Sequence, residues 1–320
     1  METAGFCRTS YTSGGFANTA GHSAQGRTAE AAMDGIARLN GADGVSRHAS
    51  GRIAELDGAP MGALAATKAR AAGNTIELPP GRYEVVLEPT AVSDLLNNLS
   101  TFGFNGKAFA QHQSFAELGA QQFDDKITIT DEPLGAILPF DLEGTPRDSL
   151  VIVDRGTTRA VTHDRTSAAE AGADSTGHGS VASRSWGPAA VNLRLSAGAA
   201  GDVATPPSDN PAAPSAAALM SNLERGLLIT DFWYTRVLDQ KSLVITGLTR
   251  NGVWLVEDGQ VVSAVSNMRF TQSYPQALGP GAVLAVGAEA VALPDRWSGV
   301  RYTAPALHLA SWNLTGNASG

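Results

Sequence analysis

His178 sits between two glycines in Ser175-Thr176-Gly177-His178-Gly179, which makes it the side chain best placed in this sequence to meet a ligand. Flanking glycines lack the Cβ atoms that hold a backbone away from a bound group. The same glycines suit a tight turn with positive φ, so a conformational reading stands beside the functional one. His163-Asp164 offers an imidazole beside a carboxylate that could orient it as a general base, or simply the polar end of a hairpin. His22 and His48 lie in Gly/Ser-rich or polar stretches and read as solvated. His112, between two glutamines, reads as a surface residue or a cleft lining, and His308 alternates with Leu307 and Leu309 and is expected to face solvent. Asp141 and Glu143, two apart in a turn, are expected to bond local amides rather than to act as a catalytic pair.

Several chemistries are excluded by what is missing. A catalytic zinc needs about three protein ligands and an open position, and no His-Glu-x-x-His occurs in the chain. The single cysteine, Cys7, rules out an internal disulfide and a multi-cysteine zinc site. There is no G-x-S-x-G nucleophile elbow, no phosphate-binding G-x-x-x-x-G-K-[ST] and no G-x-G-x-x-G. A formal charge of -8 without a Lys/Arg cluster argues against nucleic acid or an anionic membrane as partner. No apolar run approaches the ~18 residues of a membrane span, and the opening METAGFCRTSYTSGG lacks the pattern of a secretory leader. The expected setting is the cytoplasm.

The elements that must position these residues are mostly short strands. Of 320 residues 43% are hydrophobic, enough for a real core, while 35 Gly and 16 Pro imply many turns. A strand is expected around Gly5–Tyr11, and residues 27–39, whose composition also suits a helix, are read as strand. Residues 59–72 form a helix stopped by Gly73-Asn74, and Leu78-Pro79-Pro80-Gly81 marks a boundary. Strand 82–88 leads into helix 90–99 with Thr90 as N-cap; Val92, Leu95, Leu96 and Leu99 form its buried stripe. Strands are expected at 126–132, 135–140, 149–154, 158–163 and 191–198, with a hairpin tip at Asp154-Arg155-Gly156. Residues 199–217 read as a mobile Pro/Ala/Ser/Gly loop and 218–226 as a short helix. From 227 to 272 strands alternate with turns, Asn251-Gly252 and Asp258-Gly259 being two-residue hairpin signals, and 300–316 closes the chain as a strand. Trp233, Tyr234, Trp254, Trp297 and Trp312 are expected in the core or at a subunit interface.

Seven segments, in order, resemble the TldD/PmbA family: Glu77–Pro89, Phe140–Thr145, Ser175–Gly179, Val191–Leu193, Gly252–Gly259, Asn267–Thr271 and Ala304–Leu307. The resemblance spans nearly the whole chain, apart from an N-terminal α/β segment that family members usually carry, so a shortened member or an internal start is expected. It implies an α+β fold: a short N-terminal α/β remnant, residues 1–77, followed by a large, mostly antiparallel β-rich domain, residues 78–320. In the TldD branch a helix bearing His-Glu-x-x-x-His carries the metal, and the PmbA or TldE branch lacks that motif and pairs with TldD. The matching helix here, Thr90–Leu99, has no His, Glu or Cys, and its one carboxylate is Asp94. The resemblance therefore implies a PmbA/TldE-like subunit of a cytoplasmic zinc metallopeptidase acting on unfolded or modified peptides. This chain would bind no cofactor, and a TldD-like partner would carry the zinc. No catalytic or metal-binding residue is assigned. Thr176, Gly177, His178, Gly179 and Asn192 are the candidate lining of a peptide cleft. The alternatives are a non-catalytic peptide-binding or scaffolding protein, and an autonomous hydrolase built around His178 or His163.

Overall fold

A computed structural model describes residues 1–198, 207, 209–295 and 300–318. The chain opens with an antiparallel meander of β1 (Glu2–Ala17), β2 (Ser23–Leu39) and β3 (Ala42–Ser50). Residues 27–39 are thus strand. Their small side chains leave little to fill a helix interface, whereas alternation puts Ala31 and Ala37 on one face, where both are buried. Helix α1 (Gly58–Ala71), capped by Asp57 accepting from the Ala59 amide, lies on β3. The approach is so close that a Cβ on Gly44 would stand 2.1 Å from the Ala65 carbonyl oxygen. Only glycine fits there.

Among the described residues the main sheet has twelve strands. Along its path run β4 (Thr75–Ile76), β12 (Gln260–Val265), β11 (Val244–Glu257), β10 (Arg225–Asp239), β5 (Gly81–Leu87), β15 (Arg301–Asn317), β9 (Leu193–Leu195), β6 (Ile129–Asp131), β7 (Leu150–Asp154) and β8 (Thr157–Thr158). Beside that path β13 (Met268–Ser273) bridges β11 and β15, and β14 (Val283–Pro294) pairs with β15. Most pairings are antiparallel, and the fold is α+β and β-rich. Strand β5 sits between β10, parallel to it, and β15, antiparallel to it.

Both faces of this central region are covered, as period-two alternation requires of a fully buried strand. Val85 and Leu87 point into one cluster with Leu227, Ile229, Leu307 and Trp312, and Val86 points into a second with Trp254, Leu219 and Met220. The first is closed by helix α2 (Pro89–Asn98), the second by helix α6 (Pro214–Met220). Along α2 and its C-cap Leu99 the stripe Val92, Leu95, Leu96 and Leu99 is buried, each leucine contributing roughly 2 kcal/mol. The opposite stripe, Thr90, Ser93, Asp94 and Asn97, shares the same i, i+3, i+4, i+7 spacing and lines a cavity.

Four local differences from the sequence reading have clear causes. Helix α2 begins one residue earlier than expected, with Pro89 at its first position and Glu88, not Thr90, as N-cap; Thr90 Oγ1 instead donates to the Thr230 carbonyl. Asn251-Gly252 does not turn the chain. Between the pairs Ile229↔Val253 and Asp231↔Arg250, two residues face Thr230 alone, so Asn251 (φ 59°) and Gly252 (φ 130°) form a bulge inside β11. Asp258-Gly259 does turn the chain, between β11 and β12. Residues 159–163 and 135–140 are not strands, and Asp164 caps helix α4 (Arg165–Ala171) through a capping box with Ser167; shorter helices α3 (Gly106–Ala110), α5 (Ser183–Trp186) and α7 (Tyr274–Ala277) fill the connections. Of the expected 199–217 loop, residues 199–206 and 208 lie outside the described residues, as does Trp297, while 214–220 are α6 in place of a helix at 218–226.

Candidate functional site

A polar cavity of about 360 Å³ runs along the solvent side of α2, walled by Thr90, Ser93, Asp94 and Asn97 and faced by Asp231, Tyr234 and Tyr302. Asp94 accepts from Thr235 Oγ1 at 2.9 Å, from the Tyr274 hydroxyl at 2.9 Å and from Asn98 Nδ2 at 3.1 Å. Burial, reinforced by the Asp94 charge, pushes the Tyr274 phenol well above its usual pKa. Tyr302 is raised as well, chiefly by burial, and its hydroxyl donates to Asn97 Oδ1 at 2.9 Å. At the rim a second bulge, where β10 slips against β11 between Trp233 and Arg236, holds Tyr234 at φ 56° with the Arg236 guanidinium 4.4 Å over its ring.

Arg47 ties this cavity to the N-terminal meander. From β3 its Nε donates to Asp34 at 2.7 Å and its Nη2 to Asp231 at 3.0 Å; Asn251, aimed inward by its bulge, donates to the same Asp231 oxygen at 2.9 Å. Burial alone would pull the Arg47 pKa down, but the charges and hydrogen bonds of Asp231 and Asp34 outweigh it and hold the group raised. One face of the cavity is therefore a fixed Asp–Arg–Asp ladder. The carboxylate within Leu227-Leu228-Ile229-Thr230-Asp231-Phe232 interrupts an apolar run, which is the signal that marks Asp231 in the sequence.

The donor set does not fit zinc. Along α2 there is one carboxylate, already holding three hydrogen-bond donors, and no imidazole. Among the described residues no three His, Cys, Asp or Glu side chains converge as a metal-binding group.

The glycine-flanked loop lies elsewhere and is closed. His178 Nε2 is 2.8 Å from Asp131 Oδ2 and its Nδ1 is 2.8 Å from Thr176 Oγ1. The other Asp131 oxygen accepts from the backbone amides of Val191, at 3.1 Å, and Asn192, at 2.7 Å. Asp131 thus joins the two sequence-flagged segments, a link with no local sequence signature because 47 residues separate it from His178. Gly177, at φ 75°, would place a Cβ 2.4 Å from the Pro146 carbonyl oxygen, and Gly179 would place one 2.8 Å from Asp141 Oδ2. Asp141 accepts from the amides of Glu143 and Thr145, the local bonding expected of it, and also from the distant Gly179 amide, whereas Glu143 accepts not from a local amide but from that of Arg165. Thr176, Gly177, His178 and Gly179 do not border the α2 cavity; Asn192 lines a second, larger one. His163 is buried against Ser167, and burial lowers its pKa. His308 faces inward, not outward, because both faces of β15 are covered; its Nε2 lies 2.7 Å from Glu84 Oε1. His22 meets the Gly144 carbonyl oxygen, and His48 is part of β3.

The larger cavity, about 1140 Å³, lies between α1 and β3 on one side and β9, β14 and β15 on the other. The buried pair Lys68–Glu88 links α1 to the residue that caps α2 and borders this space.

Comparison with known families gives the class of this sheet and helix: the C-terminal domain of a metallopeptidase family. Residues 80–316 match the family described as PmbA/TldA metallopeptidase C-terminal domain, and the chain belongs to the TldD/PmbA family. Among solved structures it is similar to TldE from Thermococcus kodakarensis, with a TM-score of 0.77 at 17% identity over 96% of this chain and 68% of that one. A candidate modulator of DNA gyrase from Thermotoga maritima superposes with a TM-score of 0.73 at 20% identity, over 92% of this chain and 64% of that one. A similarly described protein from Bacteroides thetaiotaomicron gives 0.71 at 20% identity, over 93% and 62%. At these identities the likeness establishes the fold, and the chain spans a little under two thirds of the length of the two candidate modulators. No curated protein sequence matches the chain.

Proposed function

We propose that this chain is a PmbA/TldE-like subunit of a cytoplasmic TldD/TldE-type zinc metallopeptidase that degrades unfolded or modified peptides. A TldD-like partner carries the zinc and the general base. The observation that carries this reading is the α2 stripe. It faces a cleft, as a catalytic helix must, yet presents Thr90, Ser93, Asp94 and Asn97, and the network around Asp94 is satisfied by Thr235, Tyr274 and Asn98. The likeness in fold to TldE supports the same branch. The role left to this chain is to complete the assembly and to hold peptide, not to activate water.

The test compares the chain purified alone, a TldD-like protein from the same genome alone, and the two together. Metal content and turnover of an unfolded peptide are measured on each. Zinc and chelator-sensitive cleavage are expected only where the partner is present. Stoichiometric zinc with cleavage in the isolated chain overturns the reading. Peptide retention without turnover in every mixture replaces it with a binding protein.

A further inference from the structure

The larger cavity has two unlike walls. Across the parallel β9–β15 contact Arg194 pairs with Thr303, and Arg301 precedes Thr303 by two residues. Directly paired residues and i, i+2 neighbours share one sheet face, so both arginines and the Thr303 hydroxyl leave the sheet on the same side. All three line the cavity. Arg301 Nη2 donates to the Gly135 carbonyl oxygen at 3.2 Å, and neither arginine forms an ion pair among the described residues.

Among the described residues no carboxylate pairs with either guanidinium; of those lining the cavity, Glu88 is held by Lys68 and Glu55 by Arg52. Glu30, whose field reaches Arg301, is itself held by Arg8 at 2.9 Å. Glu289 also lines the space but stands five residues along β14 from Pro294, the partner of Arg301, which is roughly 16 Å of strand. The Arg301 guanidinium is held below its usual range, first by burial and also by the charge of Arg194. Across the cavity, Met61 and Leu64 of α1 supply an apolar wall. Two guanidiniums without an ion pair among the described residues, facing an apolar surface in a chain of net charge -8, form a receptor for an anion with an apolar body.

We propose that this cavity captures the free C-terminal carboxylate of a peptide, with Arg194 and Arg301 on the carboxylate and the α1 wall on an apolar last side chain. The choice of a peptide over other organic acids rests on the peptidase-subunit reading. Forked donors from two guanidiniums match the planar carboxylate, which an amide cannot replace.

The test titrates the full chain with an N-terminally labelled hexapeptide ending in leucine, as free acid and as C-terminal amide, and follows fluorescence anisotropy. The acid is expected to bind at least tenfold more tightly. In R194Q/R301Q that ratio falls to about one while amide binding and melting temperature hold. Arg194 is exposed, so R194Q alone, expected to lose at least threefold of the ratio, carries the comparison should the double variant not fold. Equal affinity for acid and amide, a ratio that survives in the variants, or displacement by inorganic phosphate at the same concentration as the acid overturns the assignment. Cleavage of both peptides with the partner present is measured separately. Cleavage without carboxylate preference removes this subsite and keeps the peptidase reading, whereas no cleavage in any mixture removes that reading.

Discussion

The His178 imidazole and the Asp131 carboxylate meet at 2.8 Å with both side chains shielded from solvent. This contact fixes the 175–179 loop onto β6 and, through the second Asp131 oxygen, onto residues 191–192. His178→Ala leaves a sealed carboxylate short of one donor, a loss of about 3 kcal/mol. The expected outcome is a lower urea midpoint with unchanged slope. A change below about 0.5 kcal/mol would mark His178 as a surface group instead.

Gly177 and Gly172 separate two uses of glycine. Both have positive φ, 75° and 66°, but only at Gly177 does a Cβ meet backbone, 2.4 Å from Pro146 O. Gly177→Ala is expected to cost about 2–3 kcal/mol or more and Gly172→Ala about 1 kcal/mol, read from thermal melts of the two variants.

Arg47→Met breaks the ladder between Asp34 and Asp231 and leaves two buried acids facing each other. A loss of about 3–5 kcal/mol is expected. Because Arg47 joins β3 to β10, hydrogen exchange should rise first in residues 23–50. Uniform acceleration over all strands would mean that the ladder does not anchor the meander.

Tyr274 and Tyr302 set an alkaline limit. Their pKa values are raised in the folded chain, whereas in the unfolded chain each titrates near about 10. Below that value both states hold the proton and stability is unaffected. Above it the unfolded state loses protons that the folded state retains, so stability falls as pH rises. Tyrosinate absorbance from these two should appear together with the loss of circular dichroism, not before it. Tyr274→Phe should shift the transition to higher pH.

Much of the architecture was legible because it depends on local pattern. The α2 stripe follows helical spacing, and Asp258-Gly259 turns the chain as its φ tolerance suggests. Asn251-Gly252 carries the same signal and makes a bulge, because β11 continues past it against β10; positive φ serves both purposes, and pairing decides between them. His308 misled for a related reason. Alternation shows which residues share a face but not whether the far face is covered. The site was less legible still. Flanking glycines flagged His178, yet the residue it meets, Asp131, and the groups that face α2, Arg47 and Asp231, are distant in sequence and come together only through sheet order.

That order has a consequence for how the protein is made. Strand β5, at residues 81–87, needs β10 from residues 225–239 on one edge and β15 from residues 301–317 on the other. Loops of such separation close slowly. During translation α2 and its apolar stripe emerge from the ribosome more than two hundred residues before the last neighbouring strand, so the nascent polypeptide displays this surface for most of its synthesis. Chaperones that shield apolar segments have their longest opportunity there.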